Sequence, residues 1–330
     1  MRARNWVRGA IVILLGSPLL VWPLPALAQK ERALQTLNVA YPPSMGSVAS
    51  VVARDRGFYK EEGFDFTLIV VNSSAALKAQ VAGGLDYTLF GGSTGILAAV
   101  GGMPIKVVMF LYERADYDFV VRPEITSVKD LIGKKVGVSD PSGSVYTTTR
   151  AFLKHYGVDP DKQVTILAVG REPVRLQAMV GGNIAATVFP TPQQFLAERE
   201  GMKILGSSEG ILNVPLTGMT ASQTKIKSHP EEIRKVIRAT LRGTQFYLKN
   251  PQPAQEILMR WLKIDREIAR KSYERSLTVI SKDGTADEEA LTNQIKISKD
   301  RVAGGREVAV SQVVDYSFLR EVQKELGIGK

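Results

Sequence analysis

G-G-L-D-Y-T-L-F-G-G-S-T-G-I-L-A-A-V-G-G-M, residues Gly83 to Met103, is the stretch on which the fold turns. Asp86 to Phe90 predicts a short strand, and Gly91-Gly92-Ser93-Thr94-Gly95 a tight turn carrying hydroxyls. Ile96 to Val100 then opens a helix of small and apolar residues. A strand, a turn and a helix start in that order aim unpaired N–H groups and the positive end of a helix dipole at the space beyond the strand. The same turn spells G-x-S-x-G, the elbow that exposes a serine nucleophile in α/β-hydrolases. Two function classes therefore stand open, a binding protein and a serine hydrolase using Ser93.

The surrounding pattern occurs twice. Leu37 to Tyr41 predicts a strand, Val48 to Glu62 a helix stopped by Gly63, and Phe64 to Val71 a strand. Asn72-Ser73-Ser74 then supplies cap residues for a helix ended by Gly83-Gly84. From Lys134 the order repeats: strand to Ser139, helix from Val145 to Tyr156 with Gly157 behind it, strand from Gln163 to Val169. A helix ending at Gly181-Gly182 and a strand from Ala185 to Phe189 complete it. Alternation at this spacing implies right-handed βαβ units and two similar lobes, each with a mostly parallel sheet flanked by helices. Residues 208–224 read as a crossing back to the first lobe, and the chain from Pro230 onward reads as helical, packed on that lobe.

Composition narrows the function. The chain has 330 residues, 44% hydrophobic and 23% charged, an ordinary globular balance. Its net charge is +10, but Lys and Arg are spread without a basic-aromatic cluster, so nucleic acid is not the expected partner. Arg2, Arg4 and Arg8, an apolar run and Ala26-Leu27-Ala28 read as a secretory signal over residues 1–28, cleaved after Ala28. No cysteine is present, which excludes disulfides, thiolate metal sites and a lipid anchor on cysteine. An exported chain of this kind is expected in the periplasm. No metal-binding spacing, phosphate-binding loop or dinucleotide fingerprint occurs, so neither metal nor cofactor is expected.

In open α/β sheets ligands bind beyond the carboxyl ends of the strands. The loops reaching that edge nominate Tyr41, Ser44, Met45, Ser73, Ser93, Thr94 and Tyr112 from the first repeat. Ser142, Ser144, Arg171 and Thr191 come from the second. Gly, Ser and Thr at helix starts form a neutral donor cradle for an anion. Arg171 at a helix start adds a guanidinium fork that clamps a carboxylate or sulfonate, whereas Arg175 reads as a surface residue. The hydrolase reading needs a histidine base, and only His155 and His229 exist, both placed as surface or capping residues.

Several runs carry a family resemblance. They are R-D-R-G-F-Y-K-E-E-G-F from Arg54, N-S-S-A-A-L from Asn72, G-G-S from Gly91, and I-T-S-V-K-D-L-I-G-K-K-V-G-V-S from Ile125. With them the chain resembles the periplasmic substrate-binding proteins of ABC importers, in the nitrate, sulfonate, taurine and thiamine-pyrimidine-like group. The resemblance implies a two-lobed fold of type II with two crossovers. Lobe one would take residues 29–113 and 217–330, and lobe two residues 114–216. It implies a non-enzymatic, monomeric protein that captures a small organic anion by hinge closure. That cargo would pass to an ABC permease driven by a separate ATPase. A neutral pyrimidine-type ligand is the alternative within the same group.

Overall fold

The computed structural model describes residues 33–141, 143–302 and 307–329; the predicted leader and Ser142 lie outside them. Ten strands are formed among the described residues. They are β1 (Gln35–Tyr41), β2 (Phe64–Val70), β3 (Tyr87–Thr88), β4 (Ile105–Tyr112), β5 (Tyr117–Val121), β6 (Lys135–Val138), β7 (Thr165–Ala168), β8 (Ala186–Pro190), β9 (Lys203–Ser207) and β10 (Thr217–Ser222). They make two sheets of five, ordered β2-β1-β3-β10-β4 and β7-β6-β8-β5-β9.

The two orders are one pattern used twice. In each sheet the first three strands pair in parallel through a central strand, β1 or β6. The fourth position is taken by an antiparallel strand arriving from the other half of the repeat. β5 follows β4 directly yet pairs with β8 and β9, and β10 follows β9 yet pairs with β3 and β4. The predicted mostly parallel sheets are thus mixed, four strands one way and one the other. β5, β9 and β10 escape the repeat pattern because their partners are set by this exchange rather than by a local βαβ unit.

Packing follows from the sequence. β5 and β8 are buried along their whole length, as strands covered on both faces are. Leu37, Val39 and Tyr87 meet Ile233, Val236 and Ile237 of the helix Pro230–Lys249 in one core. Phe119, Val136, Phe152 and Val188 build the other, where the Phe119 and Phe152 rings stack with centroids 4.2 Å apart. The tail helix Glu288–Lys299 sets Leu291 and Ile295 on Ile96 and Val100, while its Ile297 packs against the second core. The helix predicted through Val48 to Glu62 breaks in two, Val48–Asp55 and Phe58–Glu61, because Gly57 between them adopts φ 78°.

The glycines of the opening stretch serve the backbone. Gly91 N–H donates to the Gly218 carbonyl at 2.7 Å. A Cβ on Gly91 would stand 2.7 Å from that carbonyl carbon, and one on Gly92 1.9 Å from the Leu216 oxygen. The Gly-rich turn is therefore pressed against the start of β10, not opened toward a ligand. Gly92→Ala should cost about 3 kcal/mol or more, because rigid backbone lies in the way. Gly57→Ala, with nothing within 4 Å of its Cβ, should cost only about 1 kcal/mol for its left-handed backbone. Chemical denaturation of both variants checks this, and equal losses would refute the close-approach account.

Candidate functional site

A cavity of about 130 Å³ lies where the two sheets present their carboxyl ends to each other. The first sheet brings Pro42, Pro43 and Ser44 after β1, Val70 at the end of β2 with Val71 to Ser73 behind it, and Leu89, Phe90, Ser93 and Thr94 after β3. The second brings Ser139, Asp140, Gly143, Ser144 and Val145 after β6, Arg171 and Glu172 after β7, and Pro190 from β8. Tyr117 at the head of β5, and Leu216 and Thr217 at the head of β10, complete the lining. The antiparallel strands contribute here because their first residues lie at the same edge as the parallel strands' last.

Four helices begin on this lining: Ser73–Val81, Ser93–Val100, Ser144–His155 and Glu172–Val180. In none of them does the side chain of the N-cap residue (Asn72, Gly92, Gly143 or Arg171) cap the first turn. Elsewhere Ser222, Asp265 and Asp287 do cap their helices, and none of the three lines the cavity. Uncapped starts leave N–H donors and the positive dipole ends directed at whatever enters.

Of the residues nominated from the sequence, Ser44, Ser73, Ser93, Thr94, Ser144 and Arg171 meet at the cavity. Ser142 lies outside the described residues. Tyr41, Met45, Tyr112 and Thr191 are placed elsewhere. Tyr41 turns onto Trp261, whose Nε1 donates to its hydroxyl at 3.4 Å. Met45 and Tyr112 belong to a core cluster with Val48 and Tyr247, each about fully buried. Thr191 is buried too, its hydroxyl accepting from Gln194 Nε2 at 2.8 Å. Loop position alone does not tell which way a strand-end side chain points, and in these four it points inward.

Arg175 is the largest departure from expectation. It is completely buried rather than a surface residue. Its Nε donates to Thr187 Oγ1 at 3.0 Å, and its two terminal nitrogens to the carbonyls of Gly170 at 2.7 Å and Val188 at 3.2 Å. Glu172 Oε1 stands 3.6 Å away and the Phe189 ring lies beneath at 5.3 Å. Burial lowers its pKa from the ordinary arginine value, with Glu172 opposing that shift. Arg175 thus ties the turn carrying Arg171 to β8. Arg171 itself is exposed and has no hydrogen bond or ion pair from its guanidinium among the described residues.

Tyr117, Asp140 and Glu172 were not nominated. Tyr117 shares a 2.6 Å hydrogen bond with the Ser144 hydroxyl, and burial pushes its phenol well above the ordinary range. The Y-D-F-V-V run that places it was readable as a strand following the first crossover. Ser93 Oγ donates to Gln294 Oε1 at 2.7 Å, while His155 and His229 are exposed on other elements. No histidine base therefore reaches the elbow serine. Among the described residues there is no group of acids and histidines fit to hold a metal ion, and no helix long and apolar enough to cross a membrane.

Residues 46–254, well over half the chain, match the family described as NMT1/THI5-like. The chain belongs to the NMT1/THI5-like family. The chain is 25% identical to the riboflavin-binding protein RibY of Chloroflexus aurantiacus over 246 residues, 71% of this chain and 68% of that one. It is 21% identical over 262 residues to THI12 of Saccharomyces cerevisiae, a 4-amino-5-hydroxymethyl-2-methylpyrimidine phosphate synthase, covering 74% of this chain and 76% of that one. In structure it is similar to the periplasmic aliphatic sulphonate binding protein SsuA of Escherichia coli, with a TM-score of 0.69 at 16% identity over 85% of this chain and 92% of that one. The fold is that of the periplasmic binding proteins: two mixed sheets, each flanked by helices. The relatives thus include a protein named for binding and one named as a synthase.

The first crossover, residues 113–116, leads into a buried charge cluster. Arg275 Nε donates to Asp116 Oδ1 at 2.7 Å and its terminal nitrogen to Asp118 Oδ1 at 3.1 Å. Burial pushes the Asp118 carboxyl up to about 6, Arg275 pulls it down, and Asp116 and Glu198 push it further up. A raised folded-state value means that the folded chain holds this proton more tightly than the unfolded one. The stability it contributes is fully present below the ordinary carboxylate range and is lost as pH rises through about 6. Over that window Asp118 should remove up to about 3 kcal/mol, and Asp118→Asn should flatten the slope. Urea titrations between about pH 4 and pH 7 compare the two, and an unchanged slope in the variant would exclude Asp118 as its source.

Proposed function

We propose that this chain is an exported solute-binding protein that captures a small organic anion, a sulfonate or carboxylate, in the cavity between its two sheets. Arg171 carries the reading. It is a guanidinium at a helix start, in the lining, with no partner among the described residues. The four uncapped helix starts support the same polarity, since their N–H groups and dipoles favour negative charge. Apolar groups from Pro42, Val70, Val71, Leu89, Phe90 and Leu216 form the rest of the wall and suit an organic body behind the charged group.

In this reading residues 1–28 are the export signal, and the mature chain works as a monomer in the periplasm without a lipid anchor. The halves centred on the two sheets, residues 29–113 with 217–330 and residues 114–216, close over the ligand by bending at the crossovers. The closed form docks on an ABC permease whose separate ATPase drives import. The protein is no enzyme in this reading: no histidine reaches Ser93, whose hydroxyl is bonded to Gln294 instead. The name of RibY favours a second reading, a neutral heterocyclic ligand.

Thermal shift and calorimetry with propanesulfonate, butanoate and a neutral aminopyrimidine separate the two. An anion at a hundred times its dissociation constant should add about 2.7 kcal/mol of stability. Arg171→Ala should weaken that anion by about tenfold to a hundredfold, the loss of a charge-assisted hydrogen bond. Stabilisation by the aminopyrimidine alone, or an unchanged affinity in Arg171→Ala, would overturn the anion reading.

A further inference from the structure

Ser93 lines the cavity, yet its hydroxyl proton is already committed. Its Oγ donates to Gln294 Oε1 at 2.7 Å, and both residues are buried. Gln294 is held in turn, its Nε2 donating to Ser298 Oγ at 3.1 Å, which turns the amide oxygen toward Ser93. Gln294 belongs to Glu288–Lys299, and the packing of Leu291 and Ile295 on Ile96 and Val100 fixes that helix against Ser93–Val100. A hydroxyl that has given its single proton has only lone pairs left. Toward the cavity, Ser93 is an acceptor. The second sheet adds Asp140 and Glu172 to the lining, and an ionised carboxylate only accepts.

We infer that Gln294, far from the cavity loops in sequence, is a specificity-determining residue. By taking the Ser93 proton it makes the cavity demand a hydrogen-bond donor on the ligand, an amine or hydroxyl, beside the anionic group held by Arg171. The inference rests on the anion reading and deepens it. A plain anion satisfies Arg171 and the helix starts but leaves Ser93 Oγ facing apolar surface or another lone pair. Lone pairs stripped of water and given no donor in this way separate ligands that differ by a single donor.

Matched ligand pairs test this on the full mature chain: propanesulfonate against aminopropanesulfonate, and butanoate against hydroxybutanoate, by calorimetry. The donor-bearing member of at least one pair should bind about tenfold tighter or better. Ser93→Ala should shrink that gap by removing the acceptor, and Gln294→Met by freeing the Ser93 proton. The double variant should match Ser93→Ala alone, since both changes act on one contact. A merely structural Gln294 would weaken both members of a pair alike and leave the gap intact, which would refute the inference. So would equal binding of both members by the unaltered protein, a result that needs no variant to fold. If no member of either pair binds, the anion reading itself fails, and this inference with it.

Discussion

Two backbones touch where no Cβ fits. Gly91 donates to the Gly218 carbonyl at 2.7 Å, and Gly92 lies against the Leu216 oxygen. This contact fastens the returning crossover to the first sheet beside the helix Ser93–Val100. Beside it β10 stands between β3 and β4, and Leu216 and Thr217 reach the cavity wall. The Gly-rich turn has the look of a ligand cradle, and its side chains do line one. Its glycines, however, answer to a steric demand from the chain itself. The ligand-facing chemistry is left to Ser93 and Thr94, which follow them.

The strand exchange is the second constraint, and it explains what could be read from the sequence and what could not. The repeated helix ends were legible because a left-handed turn selects glycine: Gly63 at φ 93° and Gly157 at φ 76° close equivalent helices. The loops at the sheet edges were legible because alternation of strand and helix fixes which ends face together. β10 was not legible, since its neighbours β3 and β4 lie about a hundred residues back and nothing local marks it as a strand. Side-chain direction was lost for a similar reason. Whether Tyr41 faces the cavity or the core depends on Trp261, 220 residues away. Arg175 read as a surface residue because an arginine three residues after a helix-start glutamate on a polar stretch usually is one. Its acceptors on β8 become visible only once β8 is laid beside β6.

Two of the buried charged groups join elements of different origin near the crossover and the cavity. Arg275 links a C-terminal helix to Asp116 and Asp118 at the first crossover. Arg175 links the helix Glu172–Val180 to β8. Taking such groups out of water is costly, and a pair of this kind is weak evidence for stability by itself. What it supplies is geometry. A guanidinium with three fixed acceptors holds its neighbours to one arrangement, because any other leaves a buried charge unsatisfied.

The same constraint acts at the cavity. Arg175 bonds the carbonyl of Gly170 and stands beside Glu172, so it grips the turn on both sides of Arg171. The backbone carrying the exposed guanidinium is therefore rigid, although the side chain itself is free to move. It also gives Glu172 a nearby positive charge, so that the carboxylate in the lining does not simply repel an anion. On the facing wall Gln294 plays a comparable part for Ser93, fixing where its proton goes. In both cases a residue that does not line the cavity decides what a lining residue presents. The polarity of the site is thus set one layer behind its surface, by side chains that are buried and already bonded. It is there, more than in the exposed loops, that a change of ligand would have to be made.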